Sequence, residues 1–168
     1  MDTEAITIPE PIAATTPTTV TAAPISLDGL ALLQAMVRGE LPAPPIAELL
    51  GMGIAVVEPG RVVFTLDTRP EFANPLGTVH GGIASTLIDS ATGCAIHTAL
   101  PADSTYTTVD LSVTFVRPIP LDGAHLRCEG TALHVGRKVA TARARITDDQ
   151  HRLVAHGSST CVVLPATR

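Results

Sequence analysis

The sequence predicts an α+β protein in which one long helix lies against an antiparallel sheet of about six strands. Three observations lead there. Two strand-like stretches rich in β-branched residues, "GIAVVE" and "RVVFTLDT", meet at Pro59-Gly60. A single extended helical pattern follows, "GGIASTLIDSATGCAIHTAL", with apolar or small residues at 84, 87, 88, 91 and 95. Four more strand-like segments complete the chain, at roughly 105–116, 122–134, 138–148 and 151–163.

Each element has a local reason. Residues 1–25 are rich in Thr, Pro and Ala without a sustained period and read as a disordered tail. Residues 26–50 read as a helical appendage or lid. Ser26 is the expected cap of "LDGLALLQAMVR", which Gly39 ends, and "PPIAELL" has prolines at its entry and Gly51 just past its end. Residues 51–164 form the main domain. Within it, Pro70, Pro75 and Gly77 exclude regular structure from 69–79. The long helix stops before Pro101, and Ala84, Ser85, Ala91, Gly93 and Ala95 keep it slim. In the strand after it, Val109, Leu111, Val113 and Phe115 alternate with Thr108, Asp110, Ser112 and Thr114, which predicts one apolar and one polar face. A sheet wrapped around one long helix is the hotdog fold.

Composition narrows the function. An apolar content of 45% in 168 residues supports one sizeable core, and the few aromatics (Phe64, Phe72, Tyr106, Phe115) make that core aliphatic. Charged residues are only 16%, a neutral surface that suits a homo-oligomer, a dimer or dimer of dimers. A net charge of −5 without a basic run excludes a nucleic-acid binder. No run approaches the ~18 apolar residues of a membrane span, and the proline-broken, acidic N-terminus is not a signal peptide. Cys94, Cys128 and Cys161 are far apart, with no C-x-x-C pair, which points to a reducing, cytoplasmic setting. The histidines at 97, 125, 134, 151 and 156 have no metal-ligand spacing, and no metal is expected.

The chemistry concentrates in "NPLGTVHGGIASTLID", residues 74–89. A helix that starts at the glycine pair offers free N–H groups and a partial positive charge, and glycine lets a carbonyl approach the backbone. The Gly81 N–H is therefore the expected oxyanion-hole donor. Asp89 is the only acid inside the helix, among Leu87, Ile88, Ala91 and Ala95. A buried carboxylate is costly, so it is a candidate for acid–base or nucleophilic work rather than a solvated face.

"NPLGTVHGG", then "LID", then "TTVDLSVTFVRP" resembles the acyl-CoA thioesterases of the hotdog superfamily, in the branch of the phenylacetate-pathway thioesterase and thioesterase superfamily member 2. The resemblance spans about residues 42–164. It implies hydrolysis of an acyl-CoA to a carboxylic acid and free coenzyme A, with coenzyme A as part of the substrate and no further cofactor. It assigns Asp89 as nucleophile or general base and Gly81 as oxyanion donor. Asn74 becomes a second polarising group, His80 holds the turn, and Gly82 borders the substrate. Thr108 falls where relatives carry a hydroxyl that orients water, although by itself it also suits any strand. Asp110, expected on the same face, aligns with a position near the ligand. The turn "HVGRKV" supplies His134, Val135, Gly136, Arg137 and Lys138, which the resemblance places on the nucleotide of coenzyme A; by residues alone it reads equally as an ordinary basic hairpin. Arg117-Pro118 is a further, weaker candidate for substrate contact.

Two other functions compete. A hotdog enoyl-thioester hydratase would carry G-D-x-N-P-x-H, but "EFANPLGTVH" lacks the Gly-Asp and displaces the His. A non-catalytic acyl-CoA-binding module would have no need of Asp89. Eight residues of helix place Asp89 some 12 Å from Gly81. A nucleophile must lie within about 3–3.5 Å of the atom it attacks. The sequence thus predicts a site shared between two antiparallel helices across a two-fold axis.

Overall fold

The computed structural model describes residues 27–166, so segment 1–25 and the expected cap Ser26 lie outside the described residues. Helix α1 spans Gly29–Val37, and its cap is Asp28, whose carboxylate accepts the Ala31 N–H at 2.7 Å. Helix α2 spans Pro45–Leu50 and ends at Gly51, left-handed with φ 72°. Strands β1 (Gly53–Glu58) and β2 (Arg61–Asp67) form the expected hairpin over Pro59-Gly60. The segment expected to be irregular carries one short 3₁₀ turn, Pro70–Phe72, because Pro70 fixes φ and its carbonyl accepts the Ala73 N–H.

Helix α3 spans Gly81–His97. Strands β3 (Ser104–Phe115), β4 (His125–Val135), β5 (Val139–Thr147) and β6 (Leu153–Pro165) follow it. Strand β4 starts later than expected because Gly123 turns at φ 86°. Strand β6 starts later because Asp148 folds its loop, accepting from the N–H groups of Gln150 and Arg152. All neighbours are antiparallel, in the order β1-β2-β4-β5-β6-β3.

The sheet curls around α3, whose Ala84, Leu87, Ile88, Ala91, Ala95 and Ile96 are buried against it. Contact is closest at Gly130, where an added Cβ would sit 2.1 Å from the Ala91 carbonyl oxygen. Only glycine lets strand and helix backbones meet there. The aliphatic core expected from composition is present, with Phe64 and Phe72 its buried phenylalanines.

Strand β3 departs from the simple alternation. Thr108 pairs with Cys161, but Asp110 pairs with Thr160, so Val109 is an extra residue in a bulge. A bulge reverses which face the following residues occupy. Tyr106 and Thr108 therefore point inward before it, and Leu111 and Val113 pack on the core after it. Asp110, Ser112 and Thr114 face outward, and Val109 is 59% exposed. Thr108 and Asp110 do not share a face, contrary to the reading from alternation.

Candidate active site

Asp89 lies half-buried in the middle of α3, and the β3 bulge turns Thr108 toward it. The Thr108 hydroxyl donates to Asp89 Oδ1 at 3.0 Å. Behind Thr108 stand Cys161 Sγ at 3.8 Å and, 3.7 Å from that sulfur, the Ser159 hydroxyl. One carboxylate oxygen is thus held while Asp89 opens into a cavity of about 410 Å³.

The far wall of that cavity is the N-terminal appendage: Leu33 and Met36 of α1, Ile46 and Ala47 of α2. Met52, Ile54 and Phe64 complete the apolar lining, and Ser90, Cys94 and Tyr106 flank Asp89. Burial pushes the Cys94 thiol up to about 12, with a smaller push from the charge of Asp89, so it is no nucleophile. Burial also raises the Tyr106 phenol well above its ordinary value and keeps it neutral. The two N-terminal helices were expected from the sequence, but these lining residues were not. The apolar spacing of "LALLQAM" was the available signal.

The start of α3 forms a second group. His80 caps the helix, its Nδ1 accepting the Gly82 N–H at 2.9 Å, while its own N–H binds the Phe72 carbonyl. The Gly81 N–H has no acceptor among the described residues. The Phe115 ring covers this position, and an added Cβ at Gly81 would lie 2.9 Å from its Cζ. Asn74 staples the preceding loop: Oδ1 accepts the N–H groups of Leu76 and Thr78, and Nδ2 donates to the Thr78 hydroxyl. That leaves one amide proton for any further partner. Asn74, Gly81 and Phe115 line a separate cavity of about 440 Å³, which shares no residue with the Asp89 cavity. Within one chain the predicted residues therefore fall into two separate groups.

The remaining candidates lie apart from both. His134, Arg137 and Lys138 are exposed on the β4–β5 turn, and among the described residues neither Arg137 nor Lys138 forms an ion pair. Gly136 suits that turn, because an added Cβ would lie 2.9 Å from the Val139 carbonyl oxygen. Val135 packs against the smaller core cluster. Arg117 lines the Gly81 cavity while donating to the Leu153 carbonyl. Asp110 is exposed on the outer face of the sheet. Among the described residues no cluster of His, Cys, Asp or Glu could hold a metal, and no helix is long and apolar enough to cross a membrane.

Residues 76–155 match the family described as the Thioesterase superfamily. A Halobacterium salinarum protein named as an esterase is 31% identical over 124 residues, 71% of this chain and 78% of that protein. The chain belongs to the thioesterase superfamily. Its reaction class is thioester hydrolysis. The thioesterase is also 27% identical to human acyl-coenzyme A thioesterase 13, over 61% of this chain and 72% of that protein. Among solved structures, a phenylacetic acid degradation-related thioesterase of Ralstonia eutropha JMP134 is 30% identical with a TM-score of 0.70, covering 77% of this chain and 97% of that one. The E. coli PaaI protein shares the hotdog fold at 22% identity and a TM-score of 0.72, covering 84% and 99%. The segment matched by the family begins at Leu76, so α1, α2, β1 and β2 of this thioesterase lie ahead of it.

Proposed function

We propose that this thioesterase hydrolyses acyl-CoA to a carboxylic acid and free coenzyme A in a site built by two subunits. The observation that carries this reading is Asp89, held through Oδ1 by Thr108 at the mouth of an aliphatic cavity. Its second oxygen takes a proton from water, and the resulting hydroxide adds to the thioester carbonyl carbon. The Gly81 N–H of a second copy stabilises the oxyanion at the positive end of its helix. The tetrahedral intermediate then expels the thiolate of coenzyme A, which takes the proton back from Asp89. Arg137 and Lys138 meet the phosphates at the far end of the substrate.

The shared site is supported by the two separate cavities and by the unpaired edge of the sheet. Strand β3 is an edge strand of 12 residues. It carries no proline or lysine to guard it, and Val109 and Phe115 are 59% and 54% exposed. Such an edge invites a further strand. A two-fold axis beside β3 sets two copies of α3 antiparallel and joins Gly81 of one to Asp89 of the other. Free Cys94, Cys128 and Cys161 suit a reducing compartment such as the cytoplasm.

The test is thiol release from a panel of acyl-CoAs by wild type and Asp89→Asn. The amide keeps the shape of the carboxylate but is neither basic nor nucleophilic. Turnover should fall ~10²–10⁴-fold with KM little changed, the range of a lost acid–base group. Unchanged turnover in a folded variant would remove Asp89 from the reaction.

A further inference from the structure

We propose that α1 and α2 are the ruler that selects the acyl group, and that the group is an unbranched aliphatic chain of medium length rather than an aryl-acyl group. This rests on the acyl-CoA reading above. The cavity at Asp89 has one wall from α3 and β3, where Asp89, Ser90, Tyr106 and Thr108 are polar, and an opposite wall from α1 and α2 without a charged or hydroxyl side chain. A thioester carbonyl placed at Asp89 therefore sends its tail toward the two helices. About 410 Å³ lies in the range of small-ligand pockets, roughly 300–1,000 Å³.

The lining chemistry favours a flexible chain. Met36 and Met52, the chain's only methionines besides Met1, both face the cavity. Unbranched thioethers adapt to a tail that changes shape. Phe64 and Tyr106 are the aromatic neighbours, and Phe64 is only 5% exposed, so little stacking surface awaits a ring.

The lid is fastened at both ends. An added Cβ on Gly29 would lie 2.0 Å from the His97 carbonyl oxygen, so α1 rests directly on the end of α3. Arg69 donates from Nη2 to the Leu49 carbonyl and holds the end of α2. The span between these fastenings is the measuring surface. Val37 and Ile46 line the cavity and are 53% and 45% exposed, so its outer limit lies between the two helices. All of this wall precedes the segment 76–155 that matches the family.

The experiment measures calorimetric binding of non-hydrolysable S-alkyl-CoA thioethers, from ethyl to dodecyl, and of S-benzyl-CoA to the full chain. Hydrolysis of the matching acyl-CoAs is followed in parallel. Each methylene that enters the cavity should tighten binding roughly three- to fourfold (~0.8 kcal/mol) until the chain reaches the lid, where the gain stops. Met36→Phe should bring that stop to a shorter chain, and Met36→Ala should move it to a longer one. Ethyl binding and acetyl-CoA turnover of each variant set its own baseline, against which the longer chains are read. Ala47→Leu, from the other helix, should act like Met36→Phe and guards against misfolding of one variant. Affinity independent of length, tighter binding of benzyl than of hexyl, or equal losses for all ligands in the variants would each overturn the ruler. Hydrolysis without length dependence would overturn it while leaving the thioesterase reading intact. Length-dependent, lid-sensitive binding without hydrolysis of any acyl-CoA would uphold the ruler and overturn that reading.

Discussion

Thr108 shows how much one inserted residue decides. Without the bulge at Val109 the inward and outward positions of β3 would keep one alternation throughout, and Thr108 and Leu111 would face opposite ways. With it, the upstream part of β3 delivers a hydroxyl to Asp89 and the downstream part still covers the core. A hydrogen bond to a charged group contributes about 1.5–3 kcal/mol. If Asp89 is the base proposed above, Thr108→Val should lower kcat on the order of 10- to 100-fold, with KM nearly unchanged, because the bond positions that carboxylate rather than the substrate. Thr108→Ser should recover most of that loss, since it returns the hydroxyl without the methyl. A steady-state comparison of the two variants checks this, and equal losses in both would make Thr108 a packing residue only.

At the level of elements, the join between α1 and α3 carries a pH dependence. Burial holds the His97 imidazole below its ordinary value of 6.5, with the Asp28 carboxylate pulling weakly the other way. The unfolded chain therefore binds a proton at higher pH than the folded one. The neutral form's contribution is complete above about 6.5 and is lost as pH falls below it, through the lowered folded value. Melting temperature should drop with acidification through this window, and His97→Gln should flatten the drop because it has no proton to gain. A slope unchanged by the substitution would place the titrating group elsewhere. The Gly29 backbone packs on this residue, so acidification should loosen the lid first.

At the scale of the whole molecule, the proposed sharing of the site between two subunits makes a quantitative prediction. Asp89→Asn lacks the base but keeps its helix N-terminus, whereas Gly81→Val keeps Asp89 but displaces the Phe115 ring and blocks the donor. Either homodimer should be nearly inactive, since each of its sites pairs one intact half with one broken half. In a mixed dimer one site receives both lesions and the other neither. With random exchange at equal amounts, half the dimers are mixed and each has one good site, so activity should return to about a quarter of wild type. No recovery after proven exchange would mean that Gly81 and Asp89 do not meet across subunits.

Local chemistry made much of this protein legible from its sequence. Periodicity marks α3 and the strands, Pro and Gly mark the breaks, and "NPLGTVHGG" with "LID" marks the thioesterase family, because each acts over a few neighbouring residues. The N-terminal appendage was visible as two short helices; Gly51 closes α2 as expected, and the ends of α1 fall one or two residues from the expected Ser26 and Gly39. Three features depended on contacts between distant segments. The bulge at Val109 follows from the pairing of β3 with β6, some 50 residues away, and reverses the face that Thr108 and Asp110 were expected to share. The cavity exists only where α1 and α2 close over β1, β2 and α3. The inward Tyr106 fits because Gly93 leaves room for its hydroxyl, and no window of either sequence records that match. Sequence determined the elements and the family because those are short-range choices of backbone and chemistry. Tertiary structure decided which oxygen Thr108 holds and what surrounds it, because a face and a wall come into being only when remote residues pack.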